Sequence, residues 1–183
     1  VTLVDGGDGV RVIVSGGEVE PRVGCARLVV SAFRRNEFGA LAGVKATAYA
    51  ENLLILREAD LAGADEAVIL NTAGDVCEGA TSNLFFVDGG KVFTPELGTG
   101  CLAGVTREIV LEVCGELGVE VEEGRFDEER LLGSDGVFLT GSGREVQRVG
   151  SVGDVFWDGE GAVVELIGLI SDGYLRRVGD GAE

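Results

Sequence analysis

The chain has 183 residues, 45% of them hydrophobic, and a formal net charge of −17 from 15 basic and 32 acidic side chains. This length and apolar content suffice for a buried core and favour one domain with part of a second. The acidity argues against nucleic acid or an anionic membrane as a partner, because both require clustered positive charge. With no run of 18 apolar residues and no signal-peptide pattern at its start, a soluble cytoplasmic protein is expected.

The first predicted elements are two strands and a helix. Apolar β-branched runs predict strands at 10–14 and 27–33. Glycine, proline and charge near 17–24 interrupt the two and predict a domain boundary there, so that residues 1–16 are the remnant of a separate unit. Apolar residues at helical spacing, followed by a glycine, predict an amphipathic helix over 49–62.

The middle of the chain is predicted to consist of strands joined by short turns. Strands at 66–72, 76–87 and 91–95 would form an antiparallel meander. A second helix is predicted from Thr106 to Leu117, with Thr106 as its N-cap and Gly118 as its stop. The remaining elements are a strand (119–126), a short helix (127–134), a strand broken by Gly-Ser-Gly (136–149), a hairpin-like piece (150–161) and a final helix (162–177). The fold class is therefore mixed α/β, with mostly antiparallel pairing in the middle.

The chain contains four cysteines and no histidine. Cys25, Cys77, Cys101 and Cys114 form no CxxC pair, so neither a metal site nor a disulfide scaffold is predicted, and all four are expected to be small buried residues. The lack of histidine excludes Ser-His-Asp and Cys-His nucleophiles. Carboxylates, lysine or tyrosine remain for proton transfer near neutral pH.

Lys45 and Lys91 are the only lysines, against 13 arginines. A lysine that attacks a carbonyl must be deprotonated part of the time, which burial promotes. Lys45 is flanked by glycine, valine and alanine, a small apolar neighbourhood that favours burial, whereas Lys91 lies in an exposed Asp-Gly-Gly turn. A solvated surface lysine before a helix is the alternative interpretation of Lys45.

Three further stretches indicate a site for charged groups. Glu78 lies among small and apolar residues, where an unpaired carboxylate is costly. The segment LAGVTRE (102–108) puts a glycine and a hydroxyl at the first turn of a helix, which favours phosphate binding. The segment TGSGRE (140–145) breaks a strand in a shape that can present N–H groups to an anion. Each stretch has an alternative interpretation: Glu78 could be an edge-strand glutamate facing water, 102–108 an ordinary helix cap, and 140–145 a plain loop.

The order and spacing of these stretches resemble the class IV aminotransferases, the fold-type-IV pyridoxal phosphate enzymes. Lys45 with Tyr49 is followed by EGATSNLF (78–85), LAGVTR (102–107) and VFLTGSGREV (137–146), and the resemblance extends over about 32–152. It implies a large C-terminal domain, here 25–183, with a mixed, largely antiparallel sheet or pseudo-barrel and flanking helices. The family's smaller N-terminal domain would be mostly absent, with residues 1–24 its remnant and the interdomain linker.

The resemblance also implies roles for individual residues. Lys45 would bind the pyridoxal 5'-phosphate covalently and shuttle the substrate proton, and Glu78 would pair with the pyridine nitrogen. The other implied cofactor-binding residues are Tyr49 at the phenolic oxygen, Val105, Thr106 and Ser142 at the phosphate, and Asn83 and Leu102 lining the site. Ser142 and Gly143 would meet a substrate carboxylate. Arg148 stands where the family usually has a proline.

The segment 34–72 looks most like bacterial proteins grouped with 4-amino-4-deoxychorismate lyase. The predicted function is therefore that lyase, which releases pyruvate and leaves 4-aminobenzoate for folate synthesis. An aminotransferase for branched-chain or D-amino acids with a 2-oxo acid acceptor is the first alternative, because one fold hosts both reactions. A non-catalytic fragment or dimerising module is the second. The family resemblance also implies a homodimer.

Overall fold

The computed structural model describes residues 2–5, 7, 9–17, 24–157 and 159–179. At its start, β1 (Thr2–Asp5) and β2 (Val10–Ile13) pair as an antiparallel hairpin outside the main sheet. The strand predicted at 10–14 thus forms. Most of the boundary predicted at 17–24 lies outside the described residues.

The main sheet has nine strands in the order β5-β4-β3-β10-β9-β6-β7-β8, with β11 paired to β10. Pairing is antiparallel except between β3 and β10, β3 and β4, and β7 and β8. The predicted mixed, largely antiparallel sheet is confirmed. Its strands are β3 (Ala26–Arg35), β4 (Glu66–Asn71), β5 (Val76–Gly79), β6 (Asn83–Asp88), β7 (Lys91–Pro95), β8 (Val121–Gly124), β9 (Gly136–Gly141), β10 (Glu145–Val152) and β11 (Val155–Phe156).

The predicted strand 76–87 is wrong as a single element, and so is the meander built on it. β5 is an edge strand, whereas β6 lies in the other half of the sheet between β9 and β7. The break follows Gly79, where the Ser82 carbonyl accepts the Gly79 N–H at 2.7 Å. A Cβ on residue 79 would lie 2.3 Å from the Ser82 Oγ, so only glycine fits this tight turn.

Four helices accompany the sheet in the part of the chain that is described: α1 (Ala50–Leu61), α2 (Val105–Glu116), α3 (Glu128–Leu132) and α4 (Ala162–Gly179). No helix among the described residues is long and apolar enough to cross a membrane. α1 connects the parallel strands β3 and β4, as parallel pairing requires a long crossover. The β3–α1 connection therefore lies at the carboxyl end of β3, and it contains Lys45.

The start predicted for α2 is wrong by two residues. Gly104, not Thr106, is the N-cap, and Thr106 lies within the first turn. A side chain at residue 104 would displace the Asn83 amide, because its Cβ would lie 2.1 Å from the Asn83 Oδ1. Gly118 does end the helix, with a positive φ of 70°.

Both faces of the sheet are buried in its centre. In β6, Leu84 and Phe86 join one apolar core with strand residues and α3, while Phe85 and Val87 join a second core with α2 and α4. Phe85 stacks on Phe138 of β9 with ring centroids 4.9 Å apart. This second core fixes the N-terminus of α2 against the sheet.

The cysteine prediction is correct for three of the four side chains. Cys77, Cys101 and Cys114 are buried, and all four thiols are free. Cys25, the residue before β3, is exposed, so its predicted burial is wrong.

Candidate active site

The predicted site residues meet at one cavity of about 580 Å³. This volume lies in the range of small-molecule sites, roughly 300–1,000 Å³. Its walls come from the β3–α1 connection, the turn after β5, the segment before α2 and the β9–β10 hairpin. Among the sequence-predicted residues Gly143 is not part of the lining; those that line it are Lys45, Tyr49, Glu78, Asn83, Leu102, Val105, Thr106 and Ser142.

Lys45 is exposed, so its predicted burial is wrong. Two consecutive turns precede it, closed by hydrogen bonds from the Ala42 N–H to the Gly39 carbonyl and from the Val44 N–H to the Leu41 carbonyl. The small neighbouring residues leave the lysine open to the cavity instead of covering it. Its Nζ lies 6.0 Å from the centroid of the Tyr49 ring.

Lys91 does not line this cavity and pairs with carboxylates instead. It lies at the start of β7, half-buried, and its Nζ pairs with Glu120 at 2.7 Å and Glu122 at 2.9 Å. These two carboxylates raise the pKa of Lys91, which holds it in the ammonium form. Lys45 is thus the lysine that a ligand in the cavity can reach.

Glu78 is the second-to-last residue of the edge strand β5, and its side chain is only 11% exposed. Its Oε1 lies 3.2 Å from Nη2 of Arg35, and its Oε2 accepts the Leu102 N–H at 2.9 Å. Burial raises the pKa of Glu78, while the Leu102 N–H, Arg35 and Lys45 act in the opposite direction. The positive charge of Lys45 therefore lowers the pKa of Glu78 across the cavity.

Arg35 is the cationic partner that Glu78 needs, and the sequence analysis missed it. It is the last residue of β3, with a side chain 14% exposed, and it bridges Glu78 and Glu51 on the first turn of α1. The available signal was an arginine at the carboxyl end of the strand that leads to the lysine. Its partner lies 43 residues further on, which no local pattern reveals.

Tyr49 is the N-cap residue of α1. Its hydroxyl donates to the Ala80 carbonyl at 3.0 Å, and Asn52 donates to the same oxygen at 2.6 Å. Burial, followed by the charges of Glu66 and Glu78, raises the pKa of Tyr49. The phenol therefore remains protonated at neutral pH and fixes the turn that follows Glu78.

The opposite wall of the cavity is suited to an anion. The N-terminus of α2 presents the free N–H groups of its first turn, and its dipole favours negative charge there. The approach to the helix is held by Asn83, whose Nδ2 donates to the Leu102 carbonyl at 2.7 Å. Thr106 is buried beneath this turn, and Val105 is exposed at its start.

The β9–β10 hairpin completes this wall. Its turn is closed by the Arg144 N–H, which donates to the Gly141 carbonyl at 2.9 Å, and Ser142 at the tip is exposed. Beneath it, Thr140 is 1% exposed and its Oγ1 has no hydrogen-bond partner among the described residues. Thr140 also lines the cavity, and because buried hydroxyls are normally hydrogen-bonded, an acceptor on a ligand in the cavity would be a suitable partner.

An amine, a buried carboxylate with a cationic neighbour, and a helix N-terminus meet at one cavity of a mixed α/β fold, and groups of these kinds suit pyridoxal phosphate. The family model of class IV amino-transferases matches residues 14–152, and the chain belongs to this family. The predicted family, its fold and pyridoxal phosphate as the cofactor of the family are thereby confirmed.

Individual relatives agree with this assignment. The probable branched-chain-amino-acid aminotransferase of Aquifex aeolicus is 40% identical over 126 residues, which are 67% of this chain and 40% of that protein. The branched-chain aminotransferase of Thermoproteus uzoniensis, solved with norvaline, superposes with a TM-score of 0.82 and 30% identity over 89% of this chain and 54% of that one. A putative 4-amino-4-deoxychorismate lyase of Legionella pneumophila superposes with a TM-score of 0.75 and 27% identity. The match covers 90% of this chain and 60% of that one. The chain spans less than half the length of the curated relatives it matches.

Proposed function

We propose that the protein is a pyridoxal phosphate-dependent aminotransferase that acts on branched-chain amino acids with a 2-oxo acid as acceptor. The observation that carries the proposal is the arrangement of Lys45 and Glu78 around the same cavity as the N-terminus of α2. The similarity to branched-chain aminotransferases in sequence and structure supports the choice of substrate.

The residues present fit the cofactor. Lys45 would bind its carbonyl carbon, and Glu78 would pair with its pyridine nitrogen. The first-turn N–H groups of α2, the Thr106 hydroxyl and Ser142 would bind the phosphate. Two observations of the structure support this: the Thr140 hydroxyl, which lines the cavity without a partner among the described residues, and Gly104, where a Cβ would displace the Asn83 amide that holds Leu102 before the helix.

When bound, the cofactor withdraws electrons from the substrate α-carbon through its protonated ring. Lys45 Nζ, once released by the incoming amine, would take the α-proton and return a proton to the product. It is the only lysine that lines the cavity in the described part of the chain, which also has no histidine to share the task. Proton transfer at this one nitrogen is common to the transaminase and the lyase reactions.

Glu78 would keep the ring nitrogen protonated, for which it must itself be ionised. Burial opposes ionisation, and the Arg35 guanidinium together with the Leu102 N–H supports it. Arg35 thus acts through Glu78 and does not itself touch the reacting atoms.

The lyase activity that the sequence favoured becomes the second candidate. The Legionella pneumophila structure supports it through the fold. The transaminase is placed first for two reasons. The curated relative from Aquifex aeolicus described above is a probable branched-chain-amino-acid aminotransferase. Moreover, Tyr49 matches a tyrosine that the sequence resemblance associates with branched-chain enzymes. We expect a homodimer in the cytoplasm in either case, which sedimentation and fractionation would test.

The test uses the protein as its gene encodes it, incubated with pyridoxal phosphate. The visible spectrum is recorded before and after L- and D-amino acids are added without an oxo acid. Conversion to the pyridoxamine form by L-leucine, L-isoleucine or L-valine is expected. A spectrum that survives every amino acid but is accompanied by pyruvate release from aminodeoxychorismate would favour the lyase.

The two lysines provide a matched control for the attachment site. Borohydride reduction followed by mass spectrometry should find the cofactor on Lys45. Lys45→Ala should abolish attachment, and Lys91→Ala should leave it intact. Attachment that persists in Lys45→Ala would contradict the proposed function.

A further inference from the structure

A buried ion pair lies behind the cavity wall and is not part of its lining. Arg144 Nη2 donates to Glu66 Oε2 at 2.7 Å, and the two side chains are 3% and 0% exposed. Glu66 opens β4 and Arg144 lies in the β9–β10 hairpin, 78 residues later. A buried pair adds little stability over an apolar pair of similar size, so its presence calls for a role in specifying geometry.

Glu66 holds the turn that follows Glu78. Its Oε2 accepts the Thr81 hydroxyl at 2.6 Å and lies 3.5 Å from the Ser82 hydroxyl. Gly79 packs directly on it, since a Cβ there would lie 3.4 Å from the Glu66 Cγ. The carboxylate therefore determines how the chain turns between Glu78 and β6.

Arg144 holds the hairpin that presents Ser142. Besides Glu66, it donates from Nη1 to the Gln147 Oε1 at 2.7 Å and from Nη2 to the Asp65 carbonyl at 3.3 Å. The next residue, Glu145, has a φ of 58°, unusual for a side chain other than glycine. Such a conformation persists only where the surroundings enforce it, and Glu145 directly follows the anchored Arg144.

We propose that the Glu66–Arg144 pair is a positioning device that fixes the phosphate-binding hairpin relative to the turn carrying Glu78. The inference rests on the proposed function, in which these two segments contact opposite ends of the cofactor. Binding a rigid cofactor at both ends requires their separation to be correct, and small misplacements have large effects on sites of this kind. Neither side chain of the pair lines the cavity in which the cofactor would bind.

The test compares Glu66→Gln, Arg144→Met and the double variant in the protein as its gene encodes it. The double variant is essential, because a single substitution leaves one buried charge without its partner. Affinity is measured for pyridoxal 5'-phosphate and for pyridoxal, which lacks the phosphate. Arg177→Met is the control, since among the described residues this arginine pairs with the exposed Glu112 and Glu116.

We expect the double variant to bind pyridoxal 5'-phosphate about tenfold or more weakly, each tenfold corresponding to about 1.4 kcal/mol. Its affinity for pyridoxal should change much less, because the attachment lysine is not held by the pair. The control should match the wild type in both. A purely structural pair would instead lower the melting temperature while the folded double variant binds both ligands like the wild type, and this result would overturn the proposal.

The same binding measurements distinguish this outcome from a failure of the proposed function. In that case the wild-type protein itself would show no saturable binding of pyridoxal 5'-phosphate, and the positioning role would fall with it. Should Arg144→Met not fold, Arg144→Lys is the substitute; it keeps the charge and loses the forked contact to Glu66 and Gln147. Unchanged phosphate selectivity in a folded Arg144→Lys would likewise contradict the proposal.

Discussion

The interaction between Arg35 and Glu78 makes a prediction about stability and pH. Arg35→Met removes the guanidinium that lies 3.2 Å from the Glu78 carboxylate. Both side chains are largely buried, at 14% and 11% exposure, so solvent screens the lost interaction little. Breaking a buried pair by removing one partner costs about 3–5 kcal/mol. The Leu102 N–H still supports the carboxylate, and we therefore expect the lower end of this range at neutral pH.

The sign of the pH dependence follows from the pKa of Glu78. Burial raises this pKa, so the folded protein binds the proton more tightly than the unfolded chain does, and stability falls as the pH rises above the ordinary carboxyl value. Removing Arg35 raises the pKa further and extends the fall to higher pH. The difference in free energy of unfolding between wild type and Arg35→Met should therefore be larger at pH 8 than at pH 5.

Urea denaturation at several pH values measures this difference. Glu51→Gln is the control, because it removes the other partner of Arg35, which is half exposed and contributes about 1 kcal/mol or less. In the Arg35→Met/Glu78→Gln double variant the additional pH dependence should disappear. A difference between wild type and Arg35→Met that is the same at pH 5 and pH 8 would refute the coupling.

Three further predictions concern the cavity walls. Glu78→Gln should leave the cofactor attached but slow exchange of the substrate α-proton with deuterium, followed by NMR; unaltered exchange would argue against ring protonation by Glu78. Thr140→Val should stabilise the cofactor-free protein by about 1 kcal/mol in denaturant titrations, because it removes a buried hydroxyl without a partner. Gly104→Ala should weaken phosphate binding and destabilise the protein by about 1–3 kcal/mol, because its Cβ would lie 2.1 Å from the Asn83 Oδ1. Calorimetry with inorganic phosphate measures the binding, and a variant that behaves like the wild type would show that the approach to α2 is not tightly packed.

Local pattern was sufficient for most elements and for the residues at the cavity. The helix predicted at 49–62 forms with Tyr49 and Ala62 as its caps, and the alternation in β6 appears as two buried faces. These features depend on neighbours along the chain. Lys45 and Glu78 could be found because each is a charged residue in an apolar stretch, where a buried charge is costly unless it is paired.

What the sequence did not reveal depends on distant contacts. The N-cap of α2 is decided by Asn83, because its amide occupies the space that a Cβ on residue 104 would need. The exposure of Lys45 is decided by the turns before it, which open towards a cavity instead of a core. The pairs Arg35–Glu78 and Glu66–Arg144 join residues 43 and 78 positions apart, and neither separation has a periodic signature.

The electrostatics of the cavity resolve an apparent conflict with the composition. A chain of net charge −17 should repel an anionic cofactor. At physiological ionic strength, however, exposed charges more than about 8 Å away are largely screened, so the walls of the cavity outweigh the distant surface. Those walls carry Lys45, Arg35 and the N-terminus of α2. They also carry the carboxylates of Glu51 and Glu78, both of which are paired with Arg35. With both acids partnered, the helix end and Lys45 would attract the phosphate, which makes an anionic ligand compatible with an acidic protein.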